Sequence, residues 1–84
     1  MPPLTEERRK DMVKLLHQKL ESGRIMLRTI RTDTKKDIDR QKGQPGISED
    51  AIADDLVQLD TFLKDALAKV EDLGQRKEQD LLSL

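Results

Sequence analysis

Four cations stand at helical spacing in the first half of the chain: Arg24, Arg28, Arg31 and Lys35, separated by 4, 3 and 4 residues. On a helix such steps form one ridge. Arginine forks match phosphate oxygens in two-point contacts, and a rigid helix fixes the distance between successive forks. Shape and phosphate recognition of a folded RNA requires little more. The same four residues have a second reading, a solvated face that forms i,i+4 pairs or pairs with a neighbouring acidic helix, which is what most charge runs are.

The remaining reactive side chains are poorly arranged for catalysis. His17 is the single histidine and the chain has no cysteine, so His17 lacks the partners of a metal site and is expected in a structural position near a packing seam. Glu21, Asp33 and Asp37 are spread among basic residues, a pattern of ion pairs rather than of an acid/base couple. Asp54, Asp55 and Asp60 could attract a cation, but they follow no calcium-loop pattern and are expected to be solvated. No glycine-rich phosphate loop and no nucleophile–base pair occurs. Enzymatic activity, cofactors and metals are therefore not expected.

Two elements must carry these residues. Gly43-Gln44-Pro45-Gly46 is the one strong breaker in the chain. Pro2 and Pro3 precede Thr5, a good N-cap, and Glu6 and Glu7 follow where acids complement the helix dipole. Ser48 is a second N-cap, followed by Glu49 and Asp50, with Ile47 and Ile52 spaced as a hydrophobic staple. The spacing predicts helices over about 6–42 and 49–82, each roughly 50 Å long at 1.5 Å per residue, with a turn at 43–47. The seam of the first helix reads Val13, Leu16, Leu20, Gly23, Leu27, Ile30, Thr34 and Ile38. That of the second reads Ile52, Leu56, Leu59, Leu63, Ala66, Val70 and Leu73. Alternating steps of 3 and 4 are the pattern of left-handed helix packing, and a short connection makes the pair an antiparallel hairpin.

Composition agrees with an all-α chain. Charged residues make up 39% and hydrophobic residues 35%, and Phe62 is the one aromatic residue. Such a palette suits long amphipathic helices and supplies few of the aromatic and β-branched residues of a sheet core. At 84 residues the chain is one small domain, too short to bury a large core alone. No apolar run is long enough to cross a bilayer, and no oxidising compartment is indicated; cytoplasm, or an organelle matrix, is expected. Residues 1–42 carry twelve Lys/Arg and seven Asp/Glu (+5), and residues 43–84 carry four and ten (−6), so the two halves attract each other.

The apolar stripes are wider than one seam needs. Met12, Leu15 and Met26 on the first helix, with Phe62 and Leu73 on the second, form shoulders that a two-helix hairpin leaves wet. The expected architecture is thus part of a three-helix bundle, or a four-helix bundle completed by a second copy of the chain. A purely structural, self-associating bundle that binds no RNA is the alternative to the RNA-binding reading.

Three segments bear a family resemblance. Leu4-Thr5-Glu6-Glu7-Arg8-Arg9-Lys10 looks like the re-entry of ribosome recycling factors into their helical domain after the β-barrel domain. Arg28-Thr29-Ile30-Arg31-Thr32-Asp33 resembles the family's Arg-Asn-Ile-Arg-Arg-Asp stretch, and Ile47-Ser48-Glu49-Asp50 its Ile-Ser-Glu-Asp start of the last helix. The order and separations agree, over essentially all 84 residues and about the last half of a complete family member. The resemblance implies the carboxy-terminal hairpin of a three-helix domain, with the first helix and the barrel absent. It also implies a bundle that lies on large-subunit ribosomal RNA and acts with elongation factor G to split ribosomes after termination. The factor itself performs no covalent chemistry. By position, Arg28 and Arg31 would contact RNA, with Arg24 one turn earlier. Thr32 stands where the family usually has a second arginine, and Thr29 where it often has asparagine.

Overall fold

The computed structural model describes residues 5–84; the expectations placed on Pro2, Pro3 and Leu4 lie outside the described residues. Two helices form an antiparallel hairpin, α1 over Glu6–Arg40 and α2 over Glu49–Leu82. No strand occurs among the described residues. The molecule is a rod of 67 × 16 × 14 Å. No helix is long and apolar enough to cross a membrane among the described residues.

Both helices begin where a side chain replaces a missing backbone acceptor. The Thr5 hydroxyl accepts from the Arg8 amide at 3.1 Å, and the Ser48 hydroxyl accepts from the Ala51 amide at 3.1 Å. The end of α1 falls at Arg40, two residues before the expected boundary. There the Gln41 and Lys42 amides donate to Ile38 and Asp39, three residues back, so the last turn tightens before Gly43, whose φ is +79°. The Gln44 side-chain amide donates to the Arg40 carbonyl at 3.2 Å, satisfying one end group. The Ile47 amide then donates to the Gln44 carbonyl at 3.2 Å across Pro45 and Gly46. Proline at the first central position and glycine with φ +82° at the second are the requirements of a type II turn.

The seam is thin. Ile52, Leu63 and Leu81 are the buried apolar side chains among the described residues, with Gly74 between the last two. On α1 nothing is fully buried; Val13, Leu16, Leu20, Gly23, Leu27, Thr34 and Ile38 are half-buried. Two expected seam positions are displaced. Ile30 is 42% exposed, because the seam passes between it and Arg31, whose side chain reaches across to α2. Leu73 is 65% exposed on the shoulder, and the seam continues through Gly74.

Gly74 is the point of closest approach. A Cβ built there would lie 2.6 and 2.8 Å from the two terminal methyls of Leu20. Gly23, the interior glycine on the α1 seam, would have only a Val70 methyl at 3.9 Å, so it lowers helix propensity without permitting a closer approach.

Candidate nucleic-acid interface

Arg24, Arg28 and Arg31 lie on the same side of the hairpin and line one open groove of about 520 Å³. Its floor is Leu27, Leu63 and Leu67, and α2 supplies Asp60, Lys64 and Glu71 to its other wall. Each arginine meets a carboxylate. Arg24 makes a two-point contact with Glu71, Nε to Oε1 at 2.6 Å and a terminal nitrogen to Oε2 at 3.0 Å. Its other terminal nitrogen donates to Glu21 at 3.2 Å. Arg28 donates to the second Glu21 oxygen at 3.0 Å. Arg31 Nε donates to Asp60 Oδ1 at 2.8 Å. Thr32 donates its hydroxyl to the Arg28 carbonyl at 3.1 Å, within its own helix.

These contacts set the protonation states. Hydrogen bonds from Arg28 and then Arg24 hold the Glu21 carboxyl below its ordinary range. Arg24 does the same to Glu71, and Arg31, with weaker help from the Lys35 charge, does so to Asp60. Hydrogen bonds to Glu71 and Glu21 push Arg24 further toward its charged form, as Asp60 does Arg31. Glu21, Asp60, Glu71, Arg24 and Arg31 therefore stay charged around neutrality.

Exposure separates the four cations. The Arg24 side chain is 31% exposed and its fork is filled by two carboxylates. Arg28 is 66% exposed and Arg31 50%, each held by a single contact. Lys35 is exposed, one turn beyond Arg31. The ridge therefore consists of a braced member and three presented ones. Asp60, expected to be solvated, is a bridging residue, and neither it nor Glu71 was assigned to the ridge by sequence reasoning. His17 extends the same row of cross-helix contacts, its Nε2 lying 2.8 Å from Glu78. Asp54 accepts from Gln58 at 2.8 Å, and no cluster of His, Cys, Asp or Glu is placed to hold a metal among the described residues.

A family profile described as "Ribosome recycling factor" matches residues 1–82. The chain belongs to the ribosome recycling factor family. The ribosome-recycling factor of Desulfatibacillum aliphaticivorans is 38% identical over 82 residues, which is 98% of this chain and 44% of that protein. That of Hydrogenobaculum sp. is 38% identical over 84 residues, 100% of this chain and 44% of that protein. The chloroplastic ribosome-recycling factor of Spinacia oleracea is 32% identical over 84 residues, 100% of this chain and 31% of that protein. The chain thus spans less than half the length of the recycling factors it matches. No solved structure gives a significant match.

Proposed function

We propose that this recycling-factor hairpin binds large-subunit ribosomal RNA through Arg28, Arg31 and Lys35, with Arg24 as the brace that keeps the ridge straight. In this reading Arg24 reaches a phosphate only by releasing Glu21 or Glu71. The hairpin serves ribosome recycling with elongation factor G, whose GTP hydrolysis supplies the energy, wherever bacterial-type ribosomes work: the cytoplasm or an organelle matrix. The single observation that carries the reading is the presentation of Arg28 and Arg31. They are exposed and singly held, on a helix pinned in place by the Arg24–Glu71 pair, within a stretch that resembles the family's RNA-contacting one. A planar donor on a rigid helix loses little freedom when it meets a phosphate.

The test is co-sedimentation of the chain with purified large ribosomal subunits across a salt series, beside an Arg28→Glu/Arg31→Glu variant. Binding should weaken with salt at a log–log slope of about −0.7 per phosphate contacted, the single-strand value, or somewhat steeper. The double variant should lose binding while keeping its helicity. Unchanged binding of that variant at physiological salt would remove the ridge from the interface.

A further inference from the structure

The groove beside the ridge has two unlike walls. Arg24, Arg28 and Arg31 make the α1 wall, whereas Asp60 and Glu71 outnumber Lys64 on the α2 wall. Glu78, 2.8 Å from His17, continues the acidic row toward the open end of the hairpin. A phosphate chain is therefore attracted along α1 and repelled from α2. A duplex laid over the groove would bring its second strand onto these carboxylates. A single strand brings one row of phosphates, and the bases it can splay to the other side are uncharged.

The floor suits that uncharged side. Leu27, Leu63 and Leu67 lie between the walls, and Leu67 is 40% exposed although apolar. The volume of about 520 Å³ falls in the range that takes a small organic molecule. Every lining residue belongs to α1 or α2. A nucleobase has apolar faces and a polar edge, and both find a match. The face can cover the leucines or lie against the planar guanidiniums of Arg28 and Arg31. Those planes stand in for an aromatic platform, since Phe62, the one aromatic residue, lines no part of this groove. At the edge, the exposed Lys64 ammonium donates to a carbonyl or ring nitrogen, and Asp60 accepts from a ring N–H or amino group. Asp60 gives one oxygen to Arg31, and a carboxylate has about four acceptor positions.

We propose that this groove is a nucleobase site. An unpaired RNA strand runs along α1 with its phosphates on Arg28, Arg31 and Lys35, and turns a base over Leu67 toward α2. The inference rests on the phosphate-binding reading of the ridge. It adds the kind of RNA that the ridge takes, an unpaired stretch in preference to a continuous duplex.

The test is fluorescence anisotropy at low salt with two short labelled strands of equal length and charge, oligouridylate and a ribose-phosphate strand abasic at its central positions. Wild type is expected to bind the ordinary strand about tenfold more tightly, the scale of covering part of an apolar floor. Both affinities should fall alike with salt, because the phosphates are the same. Leu67→Gln keeps helix propensity, and circular dichroism verifies its folding. It should lose the preference for the ordinary strand and still bind the abasic one. Arg28→Glu/Arg31→Glu should lose both strands; binding of both as by wild type would overturn the ridge reading and this inference with it. If wild type binds the two strands equally while the ridge variant binds neither, the ridge stands and the nucleobase site is overturned, the floor being left to water or to an apolar side chain of a partner. An unchanged preference in Leu67→Gln, or failure of folded wild type to bind either strand, overturns it as well.

Discussion

The two interior glycines should respond in opposite senses to the same substitution. In an exposed helix interior, Gly→Ala gains about 1 kcal/mol of helix propensity. At Gly23 nothing offsets that gain, since the new methyl meets only a Val70 methyl at 3.9 Å, an ordinary contact distance. Gly23→Ala should therefore stabilise by about 1 kcal/mol. At Gly74 the methyl would overlap Leu20, 2.6 and 2.8 Å from its terminal carbons and 3.3 Å from Cγ. Overpacking of that kind costs about 1–3 kcal/mol, so Gly74→Ala should come out about 1 kcal/mol destabilised after the propensity gain. The gap of about 2 kcal/mol corresponds to about 10 °C in a chain of this size. Thermal and urea unfolding followed by circular dichroism, at one fixed protein concentration, reads both variants. A Leu20→Val second change should recover part of the Gly74→Ala loss and none of the Gly23→Ala gain, giving a coupling in a double-mutant cycle. If Gly74→Ala proves as stable as Gly23→Ala, the Leu20 side chain turns aside from the new methyl without cost and Gly74 does not limit the packing.

Three further outcomes follow from the same geometry. Asp60→Asn frees Arg31 from its carboxylate, and should tighten binding to large ribosomal subunits by about two- to fivefold, the strength of one surface pair; weaker binding would make Asp60 a positioning residue instead. The carboxyls of Glu21, Asp60 and Glu71 are all held low in the folded chain, so their contribution is complete above the unfolded pKa of about 4 and is lost as pH falls below it. Melting temperature should be flat between neutrality and about pH 5 and decline in more acid buffer, and Glu71→Gln should shrink the decline, which an equally steep curve would contradict. Ser48→Ala removes the hydroxyl that accepts from the Ala51 amide, and should cost about 1 kcal/mol by the same unfolding measurement; an effect near zero would mean the cap is replaced by water.

Much of the fold was legible because its signals are local. Thr5 and Ser48 cap helices through atoms three residues away, and Gly43, Pro45 and Gly46 punctuate through their own backbone preferences. The repeat of leucines at steps of 3 and 4 identified the hairpin without any long-range contact. The errors fall where two neighbouring residues compete for one seam position. Ile30 against Arg31 and Leu73 against Gly74 are decided by what stands across the interface, a carboxylate in one case and Leu20 in the other. Period alone cannot see that. The arginine ridge was visible from spacing, but its pairing with Asp60 and Glu71 depends on the offset between the helices, which the turn geometry sets.

Burial and presentation fall on different helices. Among the described residues the buried positions all belong to α2, whereas α1 has none and carries the exposed arginines of the ridge. Random mutagenesis should therefore divide along the chain. Folding-defective alleles would concentrate after the turn, at Ile52, Leu63, Gly74 and Leu81. Alleles that fold but fail to act would concentrate before it, between Arg24 and Lys35. Such a division makes the two requirements genetically separable, so that α1 can exchange surface chemistry under selection while α2 holds the shape constant.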